Sequence, residues 1–396
     1  MALPETPDFE TYPVNQALVS AMVERGGVRL QWADGGHCLY HPMTLREHAP
    51  DPETTHPVTR EQSLMLIDIP AGLEATSADI DGEGALHVRW STGEGSRFHP
   101  GWLRAHAPDL AGAPEEDRDP MPSRVTWASG FANQLPRLHG PDVVAGGEAR
   151  EAWAEALHVW GVAILEGLDA TSEVVETVPA LLGPIRETNF GKFFDVISKP
   201  DADSNAYTSM ALPLHVDLAT RESMPGLQFL HCMSNEADGG DSILSDGLYL
   251  AECLRAEAPD LFEALSTVPV TAASKAKSTD YRWTTPIIGT DDTGAISEIR
   301  WNPWLRAPMK ASFEDVDKVY RGLRFLFELS ERPESRVVTR LRAGDMLSFD
   351  NRRVLHGRTG YDPSTGERRL RGCYVDREHL TSSLRIAERR KRAALV

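Results

Sequence analysis

Residues 349–358 read Phe-Asp-Asn-Arg-Arg-Val-Leu-His-Gly-Arg, and a second stretch, residues 214–217, reads Leu-His-Val-Asp. Residues i and i+2 of a β-strand point to the same face. His215 and Asp217 are therefore expected to present an imidazole nitrogen and a carboxylate oxygen side by side. His356 ends an apolar run, and an adjacent strand would bring it to the same face. Taken singly, each stretch is also typical of a solvated strand face or of a core histidine.

A basic segment follows His356 closely, since residues 368–372 read Arg-Arg-Leu-Arg-Gly. On a strand, Arg368 and Leu370 face one side and Arg369 faces the other. An arginine that points into a protein is costly unless it meets an anion, and its planar guanidinium matches a carboxylate with two parallel hydrogen bonds. Arg368 is thus a candidate carboxylate anchor, although a strand edge with solvated arginines has the same sequence.

The three side chains of His215, Asp217 and His356 form a donor set with a specific use. Two histidines and one carboxylate on one face of an octahedral ion leave the opposite face open for other ligands. This arrangement is typical of the non-haem Fe(II) oxygenases.

The surrounding segments predict a protein built mainly of β-strands. Short apolar runs recur between turn residues, at 161–165, 227–232, 242–245, 287–289, 298–301, 337–341, 346–349 and 370–375. Apolar residues at helical spacing predict helices at 145–158, 247–265 and 313–330. Because strands and helices do not alternate regularly, we expect an antiparallel sandwich or barrel with helices on its outside.

A proline-rich, acidic segment at residues 108–123 divides the chain, because it has too little apolar content to pack. Residues 1–107 contain strand-like runs, such as 28–32 and 86–90, between glycine turns. This pattern predicts a small N-terminal β-rich domain. Residues 124–396 would form a larger second domain.

The overall composition excludes several classes of protein. The chain has 396 residues, with 41 lysines and arginines against 59 aspartates and glutamates, and its formal net charge of −18 argues against nucleic acid as a partner. No apolar run is long enough to predict a membrane-spanning helix, and the acidic first residues do not resemble a signal peptide. Four scattered cysteines are typical of a reducing compartment, so we expect a cytoplasmic protein.

Together these features resemble the Fe(II)/2-oxoglutarate dioxygenases of the taurine dioxygenase superfamily, and within it the γ-butyrobetaine and trimethyllysine dioxygenase branch. The resemblance rests on the order of the His-x-Asp stretch, the later His-Gly-Arg stretch and the arginine that follows it. Further matching segments are residues 42–48, 102–104, 205–208, 225–232, 239–242 and 245–247.

The resemblance implies a fold and a set of roles. The fold would be a double-stranded β-helix, a jelly-roll of two sheets with iron at one mouth. His215, Asp217 and His356 would bind Fe(II), Arg368 would hold the distal carboxylate of the cosubstrate 2-oxoglutarate, and Ser242 would lie near that cosubstrate. The implied reaction consumes O2 and 2-oxoglutarate, releases succinate and CO2, and hydroxylates a C–H bond. A homodimer is implied as well.

Some members of this branch bind a structural zinc ion in the N-terminal unit through three closely spaced cysteines and a histidine. The matching stretch here, residues 49–54, contains no cysteine, and Cys38 lies upstream alone. We therefore expect no zinc, and iron as the metal of this protein.

Substrates of this branch carry a trimethylammonium group held among aromatic rings, because a quaternary ammonium donates no hydrogen bond. The matching positions are all aromatic: Phe190, Phe194, Tyr207 and Tyr374. The first two stand where γ-butyrobetaine dioxygenases carry tyrosine and tryptophan, which leaves room for an altered substrate. An ordinary hydrophobic core is the alternative interpretation of the two phenylalanines.

The anionic end of the substrate would meet Asn205 and the loop at 298–306, in which Arg300 and Arg306 lie around Asn302. Extra cationic groups favour a phosphonate head group, although solvated loop arginines have the same pattern. The expected substrate is a small trimethylammonium zwitterion, either γ-butyrobetaine or a phosphonate such as 2-trimethylammonioethylphosphonate. Trimethyllysine, a taurine-like sulfonate, and a jelly-roll binding protein without turnover remain alternatives.

Overall fold

Two units make up the chain. A computed structural model describes residues 2–111, 121–198, 208–275 and 279–394. One unit comprises Met1–Met121 together with Arg385–Val396, and the other comprises Pro122–Leu384.

The division between Met121 and Pro122 falls inside the predicted linker 108–123, of which residues 112–120 lie outside the described residues. The end of the chain differs from the expectation that residues 124–396 form one domain. Arg385–Val396 belongs to the N-terminal unit instead, where the guanidinium of Arg389 lies 2.6 Å from a carboxylate oxygen of Glu10.

The N-terminal unit is built on two three-stranded antiparallel sheets. Its strands are β1 (Leu18–Glu24), β2 (Gly27–Trp32), β3 (His37–Tyr40), β4 (Ala75–Ile80), β5 (Leu86–Trp90) and β6 (Gly95–Phe98), and its helices are α1 (Pro42–Glu47) and α2 (Pro100–Ala105). Both sheets contribute to one core, whose largest buried side chains include Trp32, Tyr40, Trp90 and Phe98. Strands β2 and β5 coincide with the two runs from which strands were predicted.

The second unit contains the remaining strands. They are β7 (Arg137–His139), β8 (Val162–Glu166), β9 (Phe194–Val196), β10 (Leu212–His215), β11 (Leu227–Asn235), β12 (Asp238–Gly239), β13 (Ser242–Asp246), β14 (Val270–Lys275), β15 (Asp280–Thr285), β16 (Ile288–Thr290), β17 (Ile296–Ile299), β18 (Val337–Thr339), β19 (Met346–Asp350), β20 (Val354–Arg358), β21 (Tyr361–Asp362) and β22 (Arg368–Val375).

Helices precede, follow and interrupt these strands. They are α3 (Gly140–Ala145), α4 (Glu148–Val159), α5 (Glu173–Thr177), α6 (Gly247–Glu257), α7 (Pro259–Thr267), α8 (Phe313–Glu331) and α9 (Arg377–Ala393), whose last residues belong to the N-terminal unit. In the part of the chain that the structure describes, none of the helices combines the length and apolar character needed to cross a membrane.

Two sheets form the frame of the second unit. The larger has the strand order β7-β8-β19-β11-β22-β9, and the smaller has the order β10-β20-β13-β18. One apolar cluster joins them, because Ile164, Leu230 and Leu347 of the larger sheet pack in the same core as Leu244 and Val354 of the smaller one. The protein is thus mainly β with flanking helices, and the predicted jelly-roll is confirmed.

The smaller sheet owes the direction of its side chains to strand alternation. Leu214 and Leu355 belong to a second apolar cluster, half of whose buried residues lie on α6, α7 and α8. Because neighbouring side chains on a strand point to opposite faces, His215 and His356 face away from these helices, toward the larger sheet. Burial of the leucines therefore sets the orientation of the two histidines.

Two predicted helices have different bounds in the structure. The helix expected at 247–265 is divided between α6 and α7 at Pro259, because proline lacks the N–H that a continuous helix needs. The helix expected at 145–158 begins later, at Glu148. Gly146 and Gly147 before it both have positive φ angles, which are incompatible with a right-handed helix.

A buried ion pair fastens the turn between β19 and β20 to the start of α6. Arg353 donates from Nε and Nη2 to the two carboxylate oxygens of Asp246, at 3.1 and 2.9 Å, and both side chains are 0% exposed. Asp246 also accepts from the backbone N–H of Leu248 and so caps α6. The guanidinium donates further to the carbonyls of Val159 and Val125, so each of its three nitrogens makes at least one hydrogen bond.

We predict that Arg353→Met lowers the free energy of unfolding by about 3–5 kcal/mol, because it leaves the Asp246 carboxylate buried without its partner. Arg332→Met is the matched control. That arginine also forms two hydrogen bonds with a carboxylate, that of Glu257, but both side chains are roughly 40% exposed. The control should lose less than about 1 kcal/mol. Urea unfolding of both variants measures the difference, and equal losses would contradict the prediction.

Candidate active site

The pairing of β10 with β20 brings two distant histidines together. His215 and His356 are direct partners in this antiparallel pair, and their ring centroids lie 4.3 Å apart. Oδ1 of Asp217 lies 3.3 Å from Nε2 of His215 and 3.8 Å from Nε2 of His356. The ligand atoms of these three residues all lie within 4.8 Å of one another, and across the described ranges no second group of this kind occurs.

The hydrogen bonds and the burial of the histidines suit them to a metal. Nδ1 of His215 lies 2.9 Å from the carbonyl oxygen of Pro213, so Nδ1 carries the proton and Nε2 keeps its lone pair. Burial, with His215 as a close neighbour, lowers the pKa of His356 to about 3, although Asp217 opposes the shift. The imidazole of His356 is therefore neutral near neutral pH, as a metal ligand must be.

Asn351 holds the backbone of Asp217 in place. Its side-chain oxygen accepts from the N–H of Asp217 at 2.8 Å, and its side-chain nitrogen donates to the carbonyl of Asp217 at 3.0 Å. The next residue, Leu218, has a φ angle of 55°, a left-handed conformation that costs a bulky residue about 1–3 kcal/mol. The two hydrogen bonds from Asn351 hold the chain at this strained turn.

A cavity of about 200 Å³ opens onto the three ligand atoms. Arg368 lines it from β22, and its side chain is buried. Nε donates to the carbonyl of Gly240 at 3.1 Å, whereas Nη1 has no partner among the described residues. Burial lowers the pKa of the Arg368 guanidinium, yet arginine remains charged at neutral pH.

These groups fit an iron ion and 2-oxoglutarate. Two imidazole lone pairs and a carboxylate oxygen converge, and acceptors repel one another at this spacing unless a cation lies between them. The unpartnered Nη1 of Arg368 is a buried donor that a carboxylate would satisfy. His215, Asp217 and His356 would hold the metal, and Arg368 would hold the distal carboxylate of the cosubstrate. Ser242 is buried on β13 and lines the same cavity.

An aromatic wall, consisting of Phe190, Phe194 and Tyr374, lines the cavity beside the ligand atoms. The rings of Phe194 and Tyr374 stack with centroids 5.1 Å apart, and Phe190 lies 6.4 Å from Phe194. Gly372 of β22 makes room for Phe194, because a Cβ there would lie 2.7 Å from the phenyl ring. Tyr207, predicted to belong with this wall, and Asn205, predicted to meet the anionic end of the substrate, lie outside the described residues.

The loop after β17 contributes to the cavity differently from the prediction. Asn302 is buried and lines the cavity. The prediction for Arg300 is corrected, because its guanidinium donates to Glu298 at 2.9 Å and to the backbone carbonyls of two residues in the 221–222 segment, and it does not line the cavity. Arg306 lines a separate surface groove along α8.

Several residues of the site escaped sequence reasoning. Trp304 packs against His215 with ring centroids 4.9 Å apart, and Gln228 donates to Oδ2 of Asp217 at 2.8 Å. Asn351 was part of a quoted stretch, but its role depends on a contact with a residue far away in the chain. Gln228 lies in an otherwise apolar strand, and a single amide among apolar residues was the one feature of the sequence that could have indicated its role.

The comparison with protein families agrees with this geometry. The family described as "Taurine catabolism dioxygenase TauD, TfdA family" matches residues 128–374. The chain belongs to this family. As a TauD/TfdA-family protein it is a non-haem dioxygenase that uses Fe(II) and 2-oxoglutarate, and the resemblance stated from the sequence is confirmed.

Individual relatives match most of this TauD/TfdA-family chain. A γ-butyrobetaine dioxygenase of Pseudomonas sp. (strain AK-1) is 39% identical over 382 residues, which are 96% of this chain and 99% of the relative. A trimethyllysine dioxygenase of Meyerozyma guilliermondii is 25% identical over 388 residues, covering 94% and 96%. A solved putative α-ketoglutarate-dependent taurine dioxygenase from Burkholderia xenovorans is 18% identical with a TM-score of 0.49, over 64% of this chain and 91% of that chain.

We predict that Arg368→Met raises the KM for 2-oxoglutarate about 10- to 150-fold, the equivalent of a charged hydrogen bond of about 1.5–3 kcal/mol. The KM for the hydroxylated substrate should change little. Arg369→Met is the matched control, because Arg369 points to the other face of β22 and lies 3.5 Å from Asp195. Initial rates at varied 2-oxoglutarate measure both variants, and an unchanged KM in Arg368→Met would contradict the assignment.

Proposed function

We propose that this protein hydroxylates a small trimethylammonium carboxylate of the γ-butyrobetaine type. The balanced reaction is R–H + 2-oxoglutarate + O2 → R–OH + succinate + CO2. Bound Fe(II) would supply the activation of O2 that this reaction requires. The protein's own side chains bind the two organic molecules, orient them and keep water away.

The observation that carries this proposal is the contact between the aromatic wall and the ligand set. Tyr374 stacks on Phe194 and also donates its hydroxyl to Oδ2 of Asp217, at 2.8 Å. A trimethylammonium group on the faces of these rings would be stabilised by cation–π attraction. The carbon chain attached to it would then lie close to Asp217, where hydroxylation has to occur.

The relatives support the same class of substrate. The Pseudomonas relative, named γ-butyrobetaine dioxygenase, is similar to this chain along nearly its whole length. A second relative is named trimethyllysine dioxygenase and is less similar. Both names refer to compounds with a trimethylammonium group, the group for which the aromatic wall is suited.

The surroundings of the cavity favour a carboxylate head group over a phosphonate. The phosphonate hypothesis rested on Arg300 and Arg306, and neither lines the cavity. Asn302 does line it, and a neutral amide suits a singly charged carboxylate better than a doubly charged phosphonate. Two arginines do line the cavity. Arg358 donates to the backbone carbonyls of Thr208 and Met210, and Arg368 is assigned to the cosubstrate.

A panel of compounds tests the proposal directly. The purified protein is incubated with Fe(II), ascorbate, 2-oxoglutarate and air, together with γ-butyrobetaine, 2-trimethylammonioethylphosphonate, trimethyllysine or taurine. Product mass and succinate are measured for each. We expect one added oxygen atom on γ-butyrobetaine. Absence of hydroxylation on every trimethylammonium compound would refute the proposal, and turnover of taurine alone would favour a sulfonate dioxygenase.

A substitution in the wall gives a second test. Phe194→Leu should raise the KM for γ-butyrobetaine about 2- to 30-fold, because cation–π attraction of about 0.5–2 kcal/mol is lost, while the KM for 2-oxoglutarate is retained. Phe193→Leu is the control, since the neighbouring ring does not line the cavity. Binding of the isostere 5,5-dimethylhexanoate, in which carbon replaces the cationic nitrogen, should be affected less by Phe194→Leu. An equal effect on both compounds would indicate plain hydrophobic packing.

A further inference from the structure

The carboxylate of Asp217 is held by two donors on the same oxygen. Nε2 of Gln228 and the hydroxyl of Tyr374 both donate to Oδ2, each at 2.8 Å. Both donor side chains are almost fully buried, at 1% and 2% exposure. They come from adjacent strands, because Gln228 of β11 and Tyr374 of β22 are direct partners in the antiparallel pairing. The larger sheet thus presents two donors at one point.

These two hydrogen bonds distinguish the two oxygens of Asp217. Oδ2 is turned toward the larger sheet, whereas Oδ1 is turned toward Nε2 of His215 and Nε2 of His356. The amide of Gln228 has one favourable orientation, because a flipped amide would bring its own oxygen against the carboxylate. The side chain of Asp217 therefore cannot rotate without breaking two buried hydrogen bonds, each worth about 1 kcal/mol or more.

We propose that Tyr374 and Gln228 are positioning residues that assign Oδ1 of Asp217 to the metal and withhold Oδ2 from it. A carboxylate that binds a metal through both oxygens takes two coordination positions. With one oxygen withheld, His215, Asp217 and His356 would take three positions of an octahedral ion. Three positions would be left, the number that a cosubstrate binding through two atoms and O2 would need.

Tyr374 also belongs to the aromatic wall. Its ring stacks on Phe194 in the aromatic wall, so one side chain contacts both the metal ligand and the substrate-binding surface. The metal-positioning role does not depend on the identity of the substrate, whereas this link to the wall rests on the proposed function. A metal-binding experiment therefore tests the metal-positioning role even if the proposed substrate is wrong.

The test uses the full chain without iron and the variants Tyr374→Phe, Gln228→Met and Tyr40→Phe. The first keeps the ring and removes the hydroxyl, and the second removes the amide at similar volume. Tyr40→Phe is the matched control, because that buried hydroxyl also makes one hydrogen bond, 2.6 Å to the carbonyl of Leu103, in the N-terminal unit. Mn(II) affinity is measured by electron paramagnetic resonance, the ligand field by the visible bands of Co(II), and folding by urea unfolding.

We expect Tyr374→Phe and Gln228→Met each to weaken Mn(II) binding roughly 10-fold and to alter the Co(II) bands, since partners of a ligating carboxylate fix its orientation. Tyr40→Phe should change neither, although its stability falls by a similar amount. With iron, Tyr374→Phe should lower kcat and retain the KM for γ-butyrobetaine. Wild-type Mn(II) affinity and Co(II) bands in both site variants would overturn the proposal. A raised KM for γ-butyrobetaine together with unaltered metal binding would also overturn it, because Tyr374 would then act only as part of the aromatic wall.

Discussion

The pairing of β10 with β20 is the interaction on which the active site depends. It sets His215 opposite His356, and it does so because the alternate residues Leu214 and Leu355 are buried against the helices on the outer face. A shift of β10 by one residue against β20, which is also paired with β13, would turn His215 toward the helices and Leu214 toward the cavity. The hydrophobic effect, acting on side chains that take no part in the chemistry, therefore determines where the metal ligands point.

The segment between β19 and β20 converts this register into a rigid site. Asn351 forms hydrogen bonds with both backbone groups of Asp217. Two residues further along the chain, Arg353 forms the buried ion pair with Asp246. A short turn thus connects the carboxylate ligand, the strand that carries His356 and the start of α6. The strained φ angle of Leu218 is tolerated because the hydrogen bonds to the preceding residue, Asp217, fix the backbone there.

The two sheets divide the chemistry between them. The smaller sheet supplies the histidines, whereas the larger sheet supplies Arg368, Tyr374 and Gln228, which lie on the inner faces of β22 and β11. Strand alternation explains this set too: Arg368 and Tyr374 share a face of β22, and Arg369 and Arg371 of the opposite face lie near Asp195. A functional cavity therefore requires both sheets in contact, and damage to the common core would disturb the metal site and the aromatic wall together.

Much of this was determined by the sequence alone. Asp217 lies beyond the end of β10, so the strand period does not place it. The alternation of leucine and histidine and the phase of Arg368 on its strand do follow from the period of a β-strand, and with the resemblance to a known family they made the fold class and the ligand set predictable. Contacts between residues far apart in the chain were not. The clamp of Asn351, the two donors on Asp217 and the packing of Phe194 over Gly372 arise from how the sheets stack, and Arg300 was misassigned because its partners are backbone carbonyls that no sequence pattern marks. Local periodicity determines which face a side chain takes, but the neighbour it meets there is decided by tertiary packing.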